Sequence, residues 1–303
     1  MTRPEQHNPT EPALDAAKEP LPSLPERAPE SHKGSFGLAL IVGGSRGMSG
    51  APAMAGMAAL RGGAGLVRLA VPDCCLDTIA GFEPSYMTVG LPSDRAGRIS
   101  LAAKRRIADA LAPATVIACG PGMGRSLGLQ VLVSWLYAEV SQPMVIDADG
   151  LNALAARPQV LDRPAGPRIL TPHPGEFARL IGTGRVAPEQ RQRLAMELAA
   201  RCGVVVVLKG HRTLITDGRR QAINTTGNAG MATGGSGDVL TGLVAALACQ
   251  GLSPFDAARL GVYLHGLAGD LAARQLSQEA MIASDLIRFL PEAFQEYRKS
   301  SAR

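Results

Sequence analysis

Asn224-Thr225-Thr226-Gly227-Asn228-Ala229-Gly230-Met231-Ala232-Thr233-Gly234-Gly235-Ser236-Gly237-Asp238 runs straight into an apolar stretch over 239–249. Residues this small let a backbone approach a ligand closely, with several N–H groups free to point at it. The apolar stretch has helical length and an apolar face. The glycines therefore open onto a helix N-terminus, where phosphate binds favourably. Asp238 stands at the mouth of that anion hole. A carboxylate beside phosphate is electrostatically costly, and general base or metal ligand would give it a reason to be there. A plain helix cap is the simpler alternative. Phosphate handling is the reading adopted.

Working outward, short apolar runs alternate with helical patterns from residue 37 onward. The runs predict strands over 38–42, 66–71, 115–119, 144–147, 169–170, 204–208, 214–216 and 221–223. Helices are expected over 51–61, 127–140, 151–156, 175–181, 188–201, 237–250, 254–275 and 284–298. Strands that are apolar throughout suit a parallel sheet buried on both faces, and the alternation predicts an α/β fold with helices on both sides. Asp217-Gly218-Arg219-Arg220 joins the last two strands as an edge hairpin.

Residues 1–33 differ from the rest. They hold seven prolines and ten charged residues without a buriable apolar run, which predicts a disordered tail ahead of one domain over 34–303. The tail carries four basic and six acidic residues, so the overall +5 leaves +7 on the body. That balance suits an anionic small molecule. Nucleic acid is disfavoured, because the basic residues are scattered and only eleven aromatics are available for stacking. No secretory signal or membrane-length segment is evident. Cys74, Cys75, Cys119, Cys202 and Cys249 form no CxxC pair, which indicates neither a zinc site nor a disulfide framework and makes the cytoplasm the default.

Ligands in such sheets bind beyond the carboxyl ends of the strands. Gly- and polar-rich clusters fall there after successive strands: Gly43-Gly44-Ser45-Arg46-Gly47, Gly120-Pro121-Gly122-Met123-Gly124, Asp147-Ala148-Asp149-Gly150, Thr171-Pro172-His173-Pro174-Gly175-Glu176 and Lys209-Gly210-His211-Arg212. The first invites a dinucleotide-binding reading, which is weak alone. A short-chain dehydrogenase would also need a Tyr four residues before a Lys. Here Tyr86, Tyr137, Tyr263 and Tyr297 are followed at that spacing by Gly90, Ser141, Leu267 and Ser301. Asp147 and Asp149 fit two roles, magnesium held through water or a cap on the next helix. His173, stiffened by two prolines and three residues before Glu176, is a candidate substrate contact. Lys209 emerges from a buried strand and can neutralise a phosphate.

Taken in order, these loops resemble the NAD(P)HX dehydratase family, which has a ribokinase-like fold. Gly62-Gly63-Ala64-Gly65, Asp147-Ala148-Asp149-Gly150-Leu151-Asn152-Ala153-Leu154, Thr171-Pro172-His173-Pro174-Gly175-Glu176-Phe177 and Gly234-Gly235-Ser236-Gly237-Asp238 carry the resemblance with the loops above, across residues 36 to 290. Ser236 and Met123 stand where Thr and Leu are commoner. Some members add an amino-terminal epimerase domain, for which the first 33 residues are too short.

The resemblance implies a ribokinase-like three-layer α/β/α sandwich with a mostly parallel central sheet. It also implies repair of the S-form of hydrated NADH or NADPH to NAD(P)H, with ADP giving AMP and phosphate, and ATP as the other possible donor. It assigns Asp238 as catalytic base. Lys209, Gly210, His211, Arg212, Thr213, Asn228, Ala229, Gly230, Met231, Ala232, Thr233, Gly234, Gly235, Ser236 and Gly237 would bind the nucleotide. Ala64, Gly122, His173, Pro174, Gly175, Glu176, Phe177, Ala178, Arg179 and Asp238 would contact the hydrated dinucleotide. Mg2+ and a homotetramer are further expectations. Two rivals remain: a hydroxymethylpyrimidine or hydroxyethylthiazole kinase, which would release a stable phosphorylated product, and a nucleotide sensor without turnover.

Overall fold

Strand residues alternate between two buried layers, and the alternation decides which layer each rim residue meets. A computed structural model describes residues 14–15 and 20–301. Along the chain come β1 (Leu14–Asp15), β2 (Leu38–Val42), α1 (Gly50–Arg61), β3 (Leu66–Pro72), α2 (Leu76–Ala80), β4 (Met87–Leu91) and α3 (Lys104–Leu111). Next are β5 (Val116–Cys119), α4 (Leu127–Glu139), β6 (Met144–Ile146), α5 (Ala148–Ala155), β7 (Arg168–Leu170), α6 (Pro174–Leu180) and α7 (Arg191–Cys202). The hairpin strands follow β8 (Val205–Leu208) as β9 (Leu214–Thr216) and β10 (Arg220–Ile223), and then come α8 (Ser236–Cys249), α9 (Pro254–Leu276) and α10 (Ala283–Ser301).

These strands form one sheet in the order β1-β10-β9-β8-β7-β6-β5-β2-β3-β4. Among the described residues, only β9 runs against its neighbours. On one face α1, α8, α9 and α10 bury Ala39, Ile41, Val116, Ala118, Val145 and Val207. On the other, α3 to α7 bury Leu40, Val42, Ile117, Ile146, Val206 and Leu208. This is the three-layer α/β/α architecture with a mostly parallel sheet that the sequence predicts. A buried cation helps lock the second layer: the Arg168 guanidinium donates to Tyr137 O (2.7 Å) and Gln142 O (2.9 Å) around the C-terminus of α4. Free carbonyls at a helix end welcome positive charge, although burial pulls this guanidinium down to about 10. Among the described residues no helix is long and apolar enough to cross a membrane.

Three expectations need correction. Residues 20–33 do not lack order. Leu21 and Leu24 pack against the α8–α10 layer, Arg27 Nη2 donates to Gly63 O (2.7 Å), and the Tyr297 hydroxyl donates to Pro22 O. Two separated leucines and a few polar anchors fasten a proline-rich segment that has no apolar run, since proline has already lost much of its chain freedom. The remaining tail positions, 1–13 and 16–19, lie outside the described residues. The hairpin is not an edge, because β1 pairs with β10 in parallel. Finally, β4 and α3 were not foreseen: four of the five β4 residues are half-buried, so that strand lacks a continuous apolar signature.

Candidate active site

Sheet parity builds the centre of the site. Val145 faces the α8 layer and Ile146 the other, so Asp147 comes back to the α8 side. Val207, Leu208 and Lys209 repeat the pattern two strands away. The two side chains meet there. Lys209 Nζ donates to Asp147 Oδ1 at 2.6 Å and lies 4.0 Å from Glu176 Oε2. Thr241, one turn into α8, donates to Asp147 Oδ2 at 2.8 Å, and Asp147 is only 1 % exposed. Burial pulls the Lys209 ammonium down, but the attraction of Asp147 and then Glu176 outweighs it and the net shift is upward. Gly120 makes room for this arrangement: at φ +126°, any Cβ it carried would sit 1.9 Å from Asp147 O.

The first turn of α8 lies above the ion pair. Gly235 takes φ +93° at the N-cap and no side chain caps the helix, so the amides at its start face the site. A Cβ on Gly237 would come within 3.3 Å of Lys209 Nζ, which shows how closely the turn covers the cation. Asp238 is half-buried in that turn. Burial first, and repulsion from Asp147 second, push its carboxyl up to about 7, although Lys209 pulls it back. A carboxyl poised near neutrality can take and return a proton, and Asp238 adjoins Gly237 at the inner end of the cavity beside this turn without lining it.

Beside this turn a cavity of about 710 Å³ opens. Lys209, Gly210, His211, Arg212 and Thr213 form one wall, and Asn228, Ala229, Met231 and Ala232 another. Ser236 and Gly237 close its inner end. Gly230, Thr233, Gly234 and Gly235 stand next to the lining without entering it. Two supports escaped the sequence analysis. His265 accompanies Leu240 and Val262 in the lining; it is buried, and desolvation holds it down at about 4, so it is neutral and its Nε2 pairs with Ser236 O at 2.9 Å. Asp270 on α9 accepts from Gly227 N (2.9 Å) and Asn228 Nδ2 (3.0 Å), and Asn228 Oδ1 in turn accepts from Gly230 N (3.0 Å). This carboxylate anchors the glycine-rich loop from behind. Losing two bonds to a charged acceptor removes about 1.5 kcal/mol or more of loop order. Asp270→Ala is therefore expected to loosen the loop, read as about tenfold faster amide hydrogen exchange at Gly227 and Gly230.

Across the rim, Asp149 accepts from Gly124 N (2.8 Å) and Asn152 Nδ2 (3.2 Å), and Asn152 Oδ1 accepts from Arg179 Nε (2.8 Å). His173 is the N-cap of α6: its Nδ1 accepts from Gly175 N (3.0 Å), and its own backbone N–H donates in return to Glu176 Oε2 (2.9 Å). Pro174 fills the first helical position. Half of the His173 side chain stays exposed, so capping and contact with a ligand are compatible. Gly122 sits on the same rim, its carbonyl bound by Ser45 Oγ at 2.8 Å.

Three of the expected contact residues are placed away from this rim in the chain. Phe177 and Ala178 are buried in the layer beneath α6 and present no side chain to the rim. Ala64 lies in the loop that leads into β3, at the opposite ends of the strands, where neighbouring Gly63 faces Gln250 beyond the C-terminus of α8. The Gly62–Gly65 pattern is a helix-ending turn, and its glycine signature does not encode which rim it occupies.

Asp147 and Asp149 each have both oxygens in a hydrogen bond or ion pair, and among the described residues no group of three side chains could hold a metal. Their remaining lone pairs can still accept from metal-bound water. That donor set fits magnesium, which keeps its waters and binds through substrate phosphates.

Residues 39–292 match the profile of the family described as NAD(P)H-hydrate dehydratase. The chain is 50 % identical over 271 residues to a bifunctional NAD(P)H-hydrate repair enzyme from Moorella thermoacetica, covering 88 % of this chain and 51 % of that protein. It is 41 % identical to an ADP-dependent (S)-NAD(P)H-hydrate dehydratase from Neisseria meningitidis serogroup B, covering 86 % and 84 %. The chain thus spans about half the length of the curated relatives it matches first. Among solved structures it resembles the ADP/ATP-dependent NAD(P)H-hydrate dehydratase from Bacillus subtilis co-crystallized with ATP/Mg2+, at TM-score 0.77 and 32 % identity, covering 90 % and 94 %. Ribokinase-like proteins are also among its structural neighbours, which carries the fold expectation.

Proposed function

Because the chain belongs to the NAD(P)H-hydrate dehydratase family, we propose that it returns the S-form of hydrated NADH and NADPH to NAD(P)H at the expense of ADP, releasing AMP and phosphate. The observation that carries this reading is Asp238, a carboxyl near neutrality at the start of an uncapped helix and directly above the Asp147–Lys209 pair.

Hydroxide is a poor leaving group, so the hydroxyl on C6 of the reduced ring must first become a phosphate ester. Asp238 takes the hydroxyl proton as the oxygen forms a bond to the terminal phosphorus of ADP, and the bond from that phosphorus to the AMP oxygen breaks. Amides of Gly234, Gly235, Ser236 and Gly237, with the dipole of α8, stabilise the charge on the transferring group. Lys209 holds Asp147 and lowers the field of carboxylates around the phosphates. The ring nitrogen lone pair then expels phosphate with the C6–O electron pair, and C5 gives up a proton to restore the ring double bond. Magnesium, held by the ADP phosphates and by Asp147 and Asp149 through water, would neutralise charge on the phosphoryl group.

A kinase of this fold fits less well, because the family matched is the dehydratase. A sensor without turnover leaves Asp238 unexplained, since binding phosphate is easier without a carboxylate there. We place the enzyme in the cytoplasm, in keeping with five unbridged cysteines, and as a homotetramer. The test is incubation of the protein with hydrated NADH, ADP and magnesium while following the near-ultraviolet absorbance of the reduced ring. Recovery of the absorbance with release of AMP and phosphate supports the proposal. Failure with both ADP and ATP refutes it.

A further inference from the structure

Three rim loops meet toward the β4 edge of the sheet: 43–49 after β2, 73–75 after β3 and 92–99 after β4. The middle one carries two adjacent cysteines, Cys74 exposed and Cys75 buried against the α8 layer. Their sulfurs lie 3.7 Å apart. Cys74 Sγ also donates to Gly97 O at 3.7 Å, and the same carbonyl accepts from Arg46 N at 3.0 Å. Gly97 has no spare room: at φ +77°, a Cβ there would stand 2.6 Å from Arg46 Cβ and 3.2 Å from Cys74 Sγ. Arg98, the next residue, pairs with Ser45 across an antiparallel bridge and lies against Gly124. The two thiols therefore sit where a small movement reaches neighbouring loops of the rim.

An accessible thiol in contact with a second thiol is the arrangement that thiol–disulfide exchange requires. We propose that Cys74 and Cys75 are a redox-active dithiol that closes to a vicinal disulfide by exchange with a low-molecular-weight disulfide. Cys74 reacts first: its thiolate attacks one sulfur of the small disulfide, that S–S bond breaks, and one thiolate leaves. Cys75 then gives up its proton to solvent and attacks the Cys74 sulfur, expelling the second thiolate. Two protein thiols are oxidised, one small disulfide is reduced to two thiols, and the protons pass to the leaving sulfurs. Burial pushes the Cys75 thiol up, so it resolves the mixed disulfide rather than starting the exchange. Neighbouring Cα atoms stand about 3.8 Å apart, short of the usual span for a disulfide, so the closed ring is readily reduced again. It is a reversible state rather than a structural bridge. Closure draws the sulfurs from 3.7 Å to about 2 Å and takes the S–H donor away from Gly97 O.

This site does not depend on the reaction assigned above. In the test, the reduced full chain is incubated with glutathione disulfide, alkylated with iodoacetamide in denaturant and digested with trypsin. The peptide 69–95 contains both cysteines and no other. It is expected to lose two hydrogens and take up no alkyl group, and dithiothreitol should restore two alkylatable thiols. Cys75→Ala should stop at a glutathione adduct on Cys74, while Cys74→Ser should leave Cys75 unmodified. Hydrogen exchange at Arg46 N is expected to be about fivefold faster in the oxidised protein, since that N–H shares Gly97 O with Cys74. Two free thiols in the peptide after incubation, a glutathione adduct as the wild-type end product, or an adduct on Cys75 in Cys74→Ser would overturn the dithiol. Unchanged exchange at Arg46 in the oxidised protein would overturn its link to the rim.

Discussion

Asp238→Asn is expected to lower turnover by about 10²–10⁴-fold, the range supplied by a positioned general base, while nucleotide affinity holds or tightens. Affinity survives because amides and the α8 dipole grip phosphate, and removing a carboxylate only eases that grip. Single-turnover kinetics alongside equilibrium binding of ADP separates the two effects. In the wild type, kcat/KM should rise with pH through about 7, as Asp238 loses its proton, and the variant should lack that limb. The same residue predicts an opposite effect on stability. Its folded carboxyl is raised from 3.8 to about 7, so the folded state binds the proton more tightly than the unfolded chain. Stability therefore falls as pH rises between those values, and the burden is complete above 7. Asp238→Asn should remove roughly 2 kcal/mol of that burden after allowance for screening, and raise Tm at pH 8 by a few degrees. A variant that loses activity and Tm together would point to general misfolding and sink the base assignment.

Lys209→Met is expected to damage both stability and chemistry. It leaves Asp147, 1 % exposed, with Thr241 as its remaining side-chain donor. Breaking a buried pair by removing one partner costs about 3 kcal/mol, toward the low end of the usual range because Lys209 keeps 21 % exposure. Asp238 loses the one charge that pulls its carboxyl down, so the acidic limb of kcat/KM should move to higher pH. Denaturant unfolding and a pH–rate profile read the two effects independently. An unchanged profile in a folded variant would show that the cation does not reach Asp238.

Much of this site was legible in the sequence because its loops are unusual for a local physical reason. Glycines and single charged residues at the ends of apolar runs mark places where backbone and ligand approach, and those ends share one rim of the sheet. Lys209 after four valines and a leucine, and Asp147 after an apolar strand, were findable for that reason; their contact was not, since two strands' registers must be known first. Asp270 carries no local signal, since its two bonds cross more than forty positions of chain. His265 gave no signal beyond its residue type. Ala64 illustrates the converse: its glycine-rich surroundings match those of a ligand loop, but a turn before a strand and a turn after one stand at opposite ends of the sheet, and Ala64 precedes β3. The leading segment misled because composition measures how much can be buried, and Leu21 and Leu24 needed only a ready-made groove.

Lys209 is delivered by a ladder bonded on both sides, parallel to β7 and antiparallel to β9. Such a ladder admits only whole-residue steps, and each step inverts the side chain. An extra residue inserted at the hairpin tip, 217–219, would change a loop far from the rim and leave the ammonium aimed at Asp147. One inserted within 204–208 would swing it through the sheet into the opposite layer. Tolerance to insertion should therefore change abruptly within a dozen residues, from a position open to grafting to one where the chain cannot be lengthened at all.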